Sequence, residues 1–195
     1  MSILICYYSR FGNTELLARQ IARGVESIAG QTALLRTVPA VSTGFDEPPS
    51  PVPESGPPYA TYDELAAADG VILGSPTRFG AMAAPLKYFL DGTSGLWAQG
   101  ALVGKPAAVF TSTQSMHGGH EATLLSLMTP LLHHGMVMVG VPYSEKALAE
   151  TTGGGAPYGA GTLHRTPPKL SPEEWQIAHA LGARVATIAL KLKST

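Results

Sequence analysis

The sequence predicts a doubly wound α/β domain, a five-stranded parallel sheet with helices on both faces. Three observations predict it. Five short apolar runs are bounded by turn residues, amphipathic helical patterns alternate with them, and the loops after the first, third and fourth runs are polar and contain glycine. Parallel strands covered on both faces read as continuous apolar runs, and right-handed crossovers leave a doubly wound sheet as the economical topology.

The first run, Ile3–Tyr8, stops at the loop "SRFGNT". Leu17, Ile21, Val25 and Ile28 then mark one helical face, with Gly30 where a C-terminal cap belongs. Thr32–Val38 reads as the second strand. Residues 37–62 hold seven of the sixteen prolines, so they read as an irregular excursion rather than a domain. Thr61 and Glu64 match a capping box for a short helix, "YDELAAA". Gly70–Ser75 is the third strand, followed by "PTRFGAM" and a helix with Pro85 in its first turn and Gly92 at its end. Lys105–Thr111 is the fourth strand. The helix after it carries Leu124, Leu127, Met128 and Leu131, and Pro130 is expected to break or kink it by removing a backbone donor. Met136–Val141 is the fifth strand, and Pro142–Leu170 reads as a long Gly/Pro-rich loop. Ser171, Pro172 and Glu174 open the last helix, which continues through Ile177, Leu181, Val185, Ile188 and Leu192.

The 195 residues suit a single domain, 1–195, and 45% apolar with 14% charged content suits a packed core. A net charge of −1 without a basic run gives no footprint for nucleic acid. No apolar run approaches the roughly 18 residues of a membrane span, so no membrane insertion is expected. The first residues lack the basic region of a signal peptide. A single cysteine, Cys6, cannot form an internal disulfide, which suits a reduced, cytoplasmic protein.

In doubly wound sheets, ligands bind beyond the carboxyl ends of the strands. Three polar loops leave that edge: Ser9–Thr14, Pro76–Gly80 and Ser112–Gly119. The first precedes a helix N-terminus, where free N–H groups and the helix dipole attract an anion. It is not a nucleotide-hydrolysing loop: no Lys follows it. "GALVGKP" has three residues between its glycines instead of four, and Pro106 stands where a Mg²⁺-binding hydroxyl belongs. Hydroxyls without Mg²⁺ ligands suit a phosphate monoester held as a cofactor. "GGGAPYGAG" (Gly153–Gly161) has no strand before it or helix after it, so it reads as a flexible or partner-packed loop. Ser9 and Arg10 stand where a phospho-acceptor receiver domain needs acids.

The segments "YYSRFGNTE", "GSPTRFGAMAAPLKYFLDGTSGLWAQGALVGKPAAVFTST", "HHGMVMVGVPY" and "GGGAPYGAGT" together resemble the flavodoxin-like NAD(P)H:quinone oxidoreductases of the WrbA type, over nearly the whole chain. The resemblance implies strand order 2-1-3-4-5, a bound FMN, a homotetramer, and two-electron reduction of quinones by NADH or NADPH. It implies that Ser9, Arg10, Phe11, Gly12, Asn13 and Thr14 cradle the FMN phosphate. Pro76, Thr77, Arg78, Phe79 and Gly80 would hold the isoalloxazine. Ser112, Thr113, Gln114, Ser115, Met116, His117, Gly118 and Gly119 would wrap its other edge. His133 would lie near flavin and substrate as the catalytic residue, and Phe11 and Trp97 would wall the substrate slot. No metal is implied. The chain departs from the family pattern in carrying Phe11 where Tyr is common, in a third loop one residue longer, and in a shorter segment before the last helix.

Plainer readings stand beside these. His133 and His134 could simply end a helix, where positive charge is favourable. Trp97 and Phe79 would by default be core or interface aromatics, Arg78 a surface ion-pair residue, and Cys6 inert core. His117 and His120 lack a third ligand for a tetrahedral metal site. The rival function is a flavodoxin-type single-electron carrier. Such carriers rely on strong acidity for docking, which a net charge of −1 does not supply.

Overall fold

The apolar runs become β1 (Ser2–Tyr7), β2 (Thr32–Thr37), β3 (Gly70–Pro76), β4 (Pro106–Thr113) and β5 (Val137–Met138), parallel and in the expected order β2-β1-β3-β4-β5. This is seen in a computed structural model that describes residues 1–42, 50 and 52–193. Positions 43–49 and 51 of the proline-rich excursion lie outside the described residues. Its exit is fixed, because Thr37 N–H donates to the Pro58 carbonyl, Ala60 N–H donates to the Thr37 carbonyl, and Thr37 so pairs with Tyr59.

Alternate residues of β1 point into two separate cores. Ile3, Ile5 and Tyr7 pack with Leu17, Ile21, Leu181 and Val185 under α1 (Asn13–Glu26) and α7 (Pro172–Lys193). Leu4 and Cys6 pack on the other face with Leu65, Leu86, Phe89 and Leu127. These come from α2 (Tyr62–Ala67), α3 (Ala84–Asp91) and α5 (His120–His133). The two faces are thus both covered. α1 and α7 touch backbone to backbone: a Cβ on Gly24 would meet the His179 carbonyl at 2.0 Å, and one on Gly182 the Ile21 carbonyl at 2.1 Å. Burial, with the Glu64 charge adding to it, pushes the Cys6 thiol up to about 12, so it stays a packed, unreactive group. No helix among the described residues is long and apolar enough to cross a membrane.

Both capping boxes form: Thr61 with Glu64, and Ser171 with Glu174. α1 ends at Glu26 and Gly30 turns three residues beyond the Ser27 cap, with φ of 76°. α5 runs on through Pro130 to His133, so the proline sits within its last turn instead of ending it. A short helix not expected from the sequence, α4 (Ser94–Ala98), carries Trp97.

The largest correction concerns the fifth strand and the loop after it. β5 spans only two residues, beside Pro106 and Ala107. The Pro142–Leu170 segment contains α6 (Lys146–Glu150) and a sixth strand, β6 (Ala160–Leu163). Strand β6 pairs parallel with Phe110–Thr113, so the outer neighbour of β4 is β5 along its first half and β6 along its second. The Gly153–Gly161 stretch is therefore a built element, not a loose loop. Glycine is required there by close approach: a Cβ on Gly154 would meet the Gly161 backbone at 2.2 Å. The clasp is the Glu174 carboxylate, fully buried. It accepts from the N–H groups of Gly154, Leu163 and Ser171, the Thr162 hydroxyl and the Arg165 guanidinium.

Candidate functional site

All three polar loops meet at the carboxyl edge of the sheet. β1 keeps its pairing to Tyr8, whose N–H donates to the Gly74 carbonyl. The chain then turns: the Ser9 hydroxyl accepts from the N–H of Gly12 at 3.2 Å and of Glu15 at 3.3 Å. Gly12 stands at the N-cap of α1 with φ of 83°, a left-handed conformation that glycine tolerates and other residues resist. The glycine at the N-cap has no side chain to offer; Ser9 takes the Glu15 N–H, while the N–H groups of Asn13 and Thr14 have no acceptor among the described residues. A helix end left open this way suits an anion.

Thr14 joins the first loop to the third through its hydroxyl, 2.8 Å from that of Ser112. The second loop is tied to the third where Thr77 N–H donates to the Ser112 carbonyl. Arg78 and Ala81 exchange both backbone bonds, which closes a tight turn around Phe79 and Gly80. Phe79 adopts a left-handed φ of 52° and its side chain is wholly exposed. A bulky residue held in that region without packing marks stored strain, which concentrates at functional sites. In the third loop the Thr113 hydroxyl donates to the Ser115 carbonyl at 2.8 Å, so it accepts from His120 Nε2 at 2.6 Å. Burial holds the His120 pKa below the ordinary histidine range, against the opposing pull of Glu121 and Glu174, and its ring stays neutral. Gly119 caps α5 with φ of 94°, and a Cβ there would meet the Gly80 Cα at 3.2 Å, so loops two and three touch.

Between the loops lies a cavity of about 110 Å³. Arg10, Phe11, Asn13, Thr14, Pro76, Thr77, Arg78, Ser112, Thr113 and Gln114 line it, all expected from the sequence. Its charged lining is Arg10 and Arg78, and among the described residues no carboxylate lines it. Ser9, Gly12, Phe79 and Gly80 shape the loops around it, whereas Ser115, Met116 and His117 turn out to solvent. Gly118 closes their turn by donating to Ser115. A larger hollow of about 550 Å³ lies elsewhere, between the Pro39–Ser42 segment and α3. Pro39, Val41, Tyr59, Tyr62, Pro85 and Tyr88 line it, and among the described residues no charged side chain does. The polar convergence at the sheet edge is the better site in spite of its size.

Two expected residues do not reach the cavity within one chain. α5 begins beside the third loop and runs 14 residues, roughly 21 Å at 1.5 Å per residue, to His133. There the chain enters β5 beside the start of β4. Trp97 joins His133 at this opposite edge, its indole N–H donating to the His133 carbonyl at 3.0 Å, and its ring is more than half exposed. In their place the cavity has a residue that sequence reasoning missed, His164, delivered by β6. No local signal marked it, because its arrival depends on the pairing of β6 with β4.

A family model described as NADPH-dependent FMN reductase matches residues 1–149. A protein of Geobacter sulfurreducens named NAD(P)H dehydrogenase (quinone) is 45% identical over 98% of this chain and 99% of its own length. One of the same name from Geotalea daltonii is 44% identical, covering 98% of each. Among solved structures, a WrbA-like flavodoxin from Agrobacterium tumefaciens aligns with a TM-score of 0.71 at 24% identity over 97% of this chain and 98% of that one. An archaeal flavodoxin aligns with a TM-score of 0.65 at 22% identity over 97% and 99%. These two likenesses show the flavodoxin-like fold.

Proposed function

The chain belongs to the NADPH-dependent FMN reductase family, and from that premise we propose that it binds FMN at this sheet edge and reduces quinones with NADH or NADPH. The observation that carries the reading is the meeting of three polar loops around a helix N-terminus whose first two N–H groups are open, all within the part of the chain that matches the family. The donor set fits the cofactor. Open Asn13 and Thr14 N–H groups, the Thr14 and Ser112 hydroxyls and two arginines suit a dianionic phosphate ester. A hollow of about 110 Å³ takes the phosphate end only, being well below the roughly 300 Å³ of a typical ligand cleft. The flat ring then belongs on the open side, where Phe11 and Phe79 are exposed.

FMN held by these loops would supply the two-electron chemistry between NADH or NADPH and a quinone. The protein binds and orients. Phe11 and Phe79 offer apolar faces to any planar substrate, so nicotinamide and quinone compete for one slot and turnover is ping-pong. The phenol that Tyr would carry is absent at Phe11, which leaves that wall without a hydrogen bond to a quinone oxygen. His133 and Trp97 serve this slot only from another copy of the chain, since their own cavity lies at the far edge of the sheet. In a homotetramer, His133 of one copy would hydrogen-bond a quinone oxygen and hold a proton for it, and Trp97 would wall the slot. The test is direct. FMN-loaded protein is expected to reduce benzoquinone with NADH or NADPH and to give parallel initial-rate lines; a loaded protein without turnover overturns the reading and favours the single-electron carrier.

A further inference from the structure

His164 is held with unusual definition for a residue at the end of a short edge strand. Its backbone N–H donates to the Thr113 carbonyl at 2.7 Å, extending the β6–β4 ladder by one residue. The orientation of the Asn13 amide is fixed, because its Oδ1 accepts from the Arg165 N–H at 3.1 Å. Its Nδ2 therefore faces the Arg165 carbonyl at 3.2 Å and the His164 Nδ1 at 3.0 Å. Nδ1 of His164 must accept, which places the ring proton on Nε2. The Phe11 ring meets the imidazole edge to face at 5.8 Å and limits its rotation.

The Nε2 proton is the part not fully used. Its partner is the Thr166 hydroxyl at 3.2 Å, an exposed and weakly held acceptor. The ring lines the same cavity as Arg10, Arg78 and the start of α1, where no carboxylate among the described residues competes. Glu15, the acid in the first turn of α1, is already paired with Arg19 at 2.6 Å. A negatively charged oxygen is a better acceptor for an imidazole N–H than a hydroxyl is.

We propose that His164 is a phosphate-binding residue of the cofactor site, donating Nε2–H to the FMN phosphate while Asn13 positions the ring through Nδ1. This rests on the FMN reading above. It adds to the first loop a contact from the opposite end of the chain. An imidazole that merely pinned α1 to the segment before α7 would do so through Nδ1 alone and be indifferent to the ligand's charge.

Riboflavin, which is FMN without its phosphate, separates these roles. Each flavin is titrated into the full-length apoprotein and followed by quenching of flavin fluorescence, with circular dichroism to verify folding. His164→Ala is expected to weaken FMN at least tenfold and to leave riboflavin within twofold; His164→Gln, which keeps an N–H donor on a side chain of different shape, falls between. Equal weakening of both flavins, or no weakening of FMN, overturns the role of His164 while leaving the FMN site in place. Failure of the wild-type protein to bind FMN overturns the proposed function and the role of His164 with it.

Discussion

Glu174→Gln removes one charge and almost no volume, yet the hydrogen bonding around this side chain makes it a severe substitution. Oε1 accepts from Gly154 N–H at 3.0 Å and Leu163 N–H at 3.1 Å. Oε2 accepts from Ser171 N–H at 2.8 Å, the Thr162 hydroxyl at 3.0 Å and Arg165 at 2.7 Å. A glutamine must put its NH₂ on one of these two sides, where it meets donors whichever way the amide is flipped. At least two buried donors lose their acceptor, at about 1–3 kcal/mol each. Arg165 is a third exposed and recovers some hydration, so the net cost is about 2–4 kcal/mol. For a domain of this size that lowers Tm by roughly 5–15 °C, to be read by circular dichroism at pH 7. A melt within about 2 °C of wild type would refute the clasp. The acid side gives a second reading. Burial alone would raise the Glu174 pKa, but the bonds from Ser171, Gly154, Arg165 and Leu163 outweigh it and hold it below the usual carboxylate range. The fold thus favours the ionised form. Its contribution is complete above the unfolded value, about pH 4.3, and is lost as pH falls through the folded value, a dependence that Glu174→Gln abolishes.

Phe79→Gly relieves the left-handed strain and loses no packing, so Tm is expected to hold or rise by up to about 1 kcal/mol equivalent while quinone kcat/KM falls; a marked loss of Tm would show that the ring packs. Gly12→Val forces a side chain into a left-handed residue beside Pro168, 3.1 Å from the Cβ position, and should abolish FMN binding in fluorescence titrations. Mixing that variant with His133→Ala after dissociation and reassembly should restore part of the quinone reductase activity, since one copy supplies the cavity and the other the imidazole; no recovery would place the whole site in one chain. Burial depresses the pKa of both His120 and His134, with His133 lowering the latter further. The unfolded chain therefore binds more protons below its ordinary value near 6.5, and the urea midpoint should fall between pH 7.5 and 5.5, less steeply in His134→Gln.

Strands β1, β3 and β4 were legible because each is an apolar run ended by an abrupt polar turn, and the three loops that leave them were legible for the same reason. Both capping boxes could be read because a cap is a local device. What escaped was decided at a distance. "MVMVGV" is as apolar as the other strands, but β4 can pair on that side with only one partner at a time, and β6 takes the second half. "AGTL" is too short and too weakly apolar to announce itself. His164 escaped with it, since nothing in "TLHR" tells that Asn13 lies alongside. His133 and Trp97 were read as site residues from resemblance, and no local pattern could have told which edge of the sheet the far end of α5 would reach.

The bond between Asn13 and His164 spans 151 positions. During synthesis the loop that carries Asn13 emerges first, and the residues that complete its cavity emerge almost last, followed by the α7 helix whose Glu174 clasps them. A growing chain can therefore form β1 to β4 early but cannot close the cavity until its final helix is free to dock against α1. On the proposed function, a chain truncated before α7 would present all three loops but leave the β6 segment and His164 without the Glu174 clasp that holds them against the cavity.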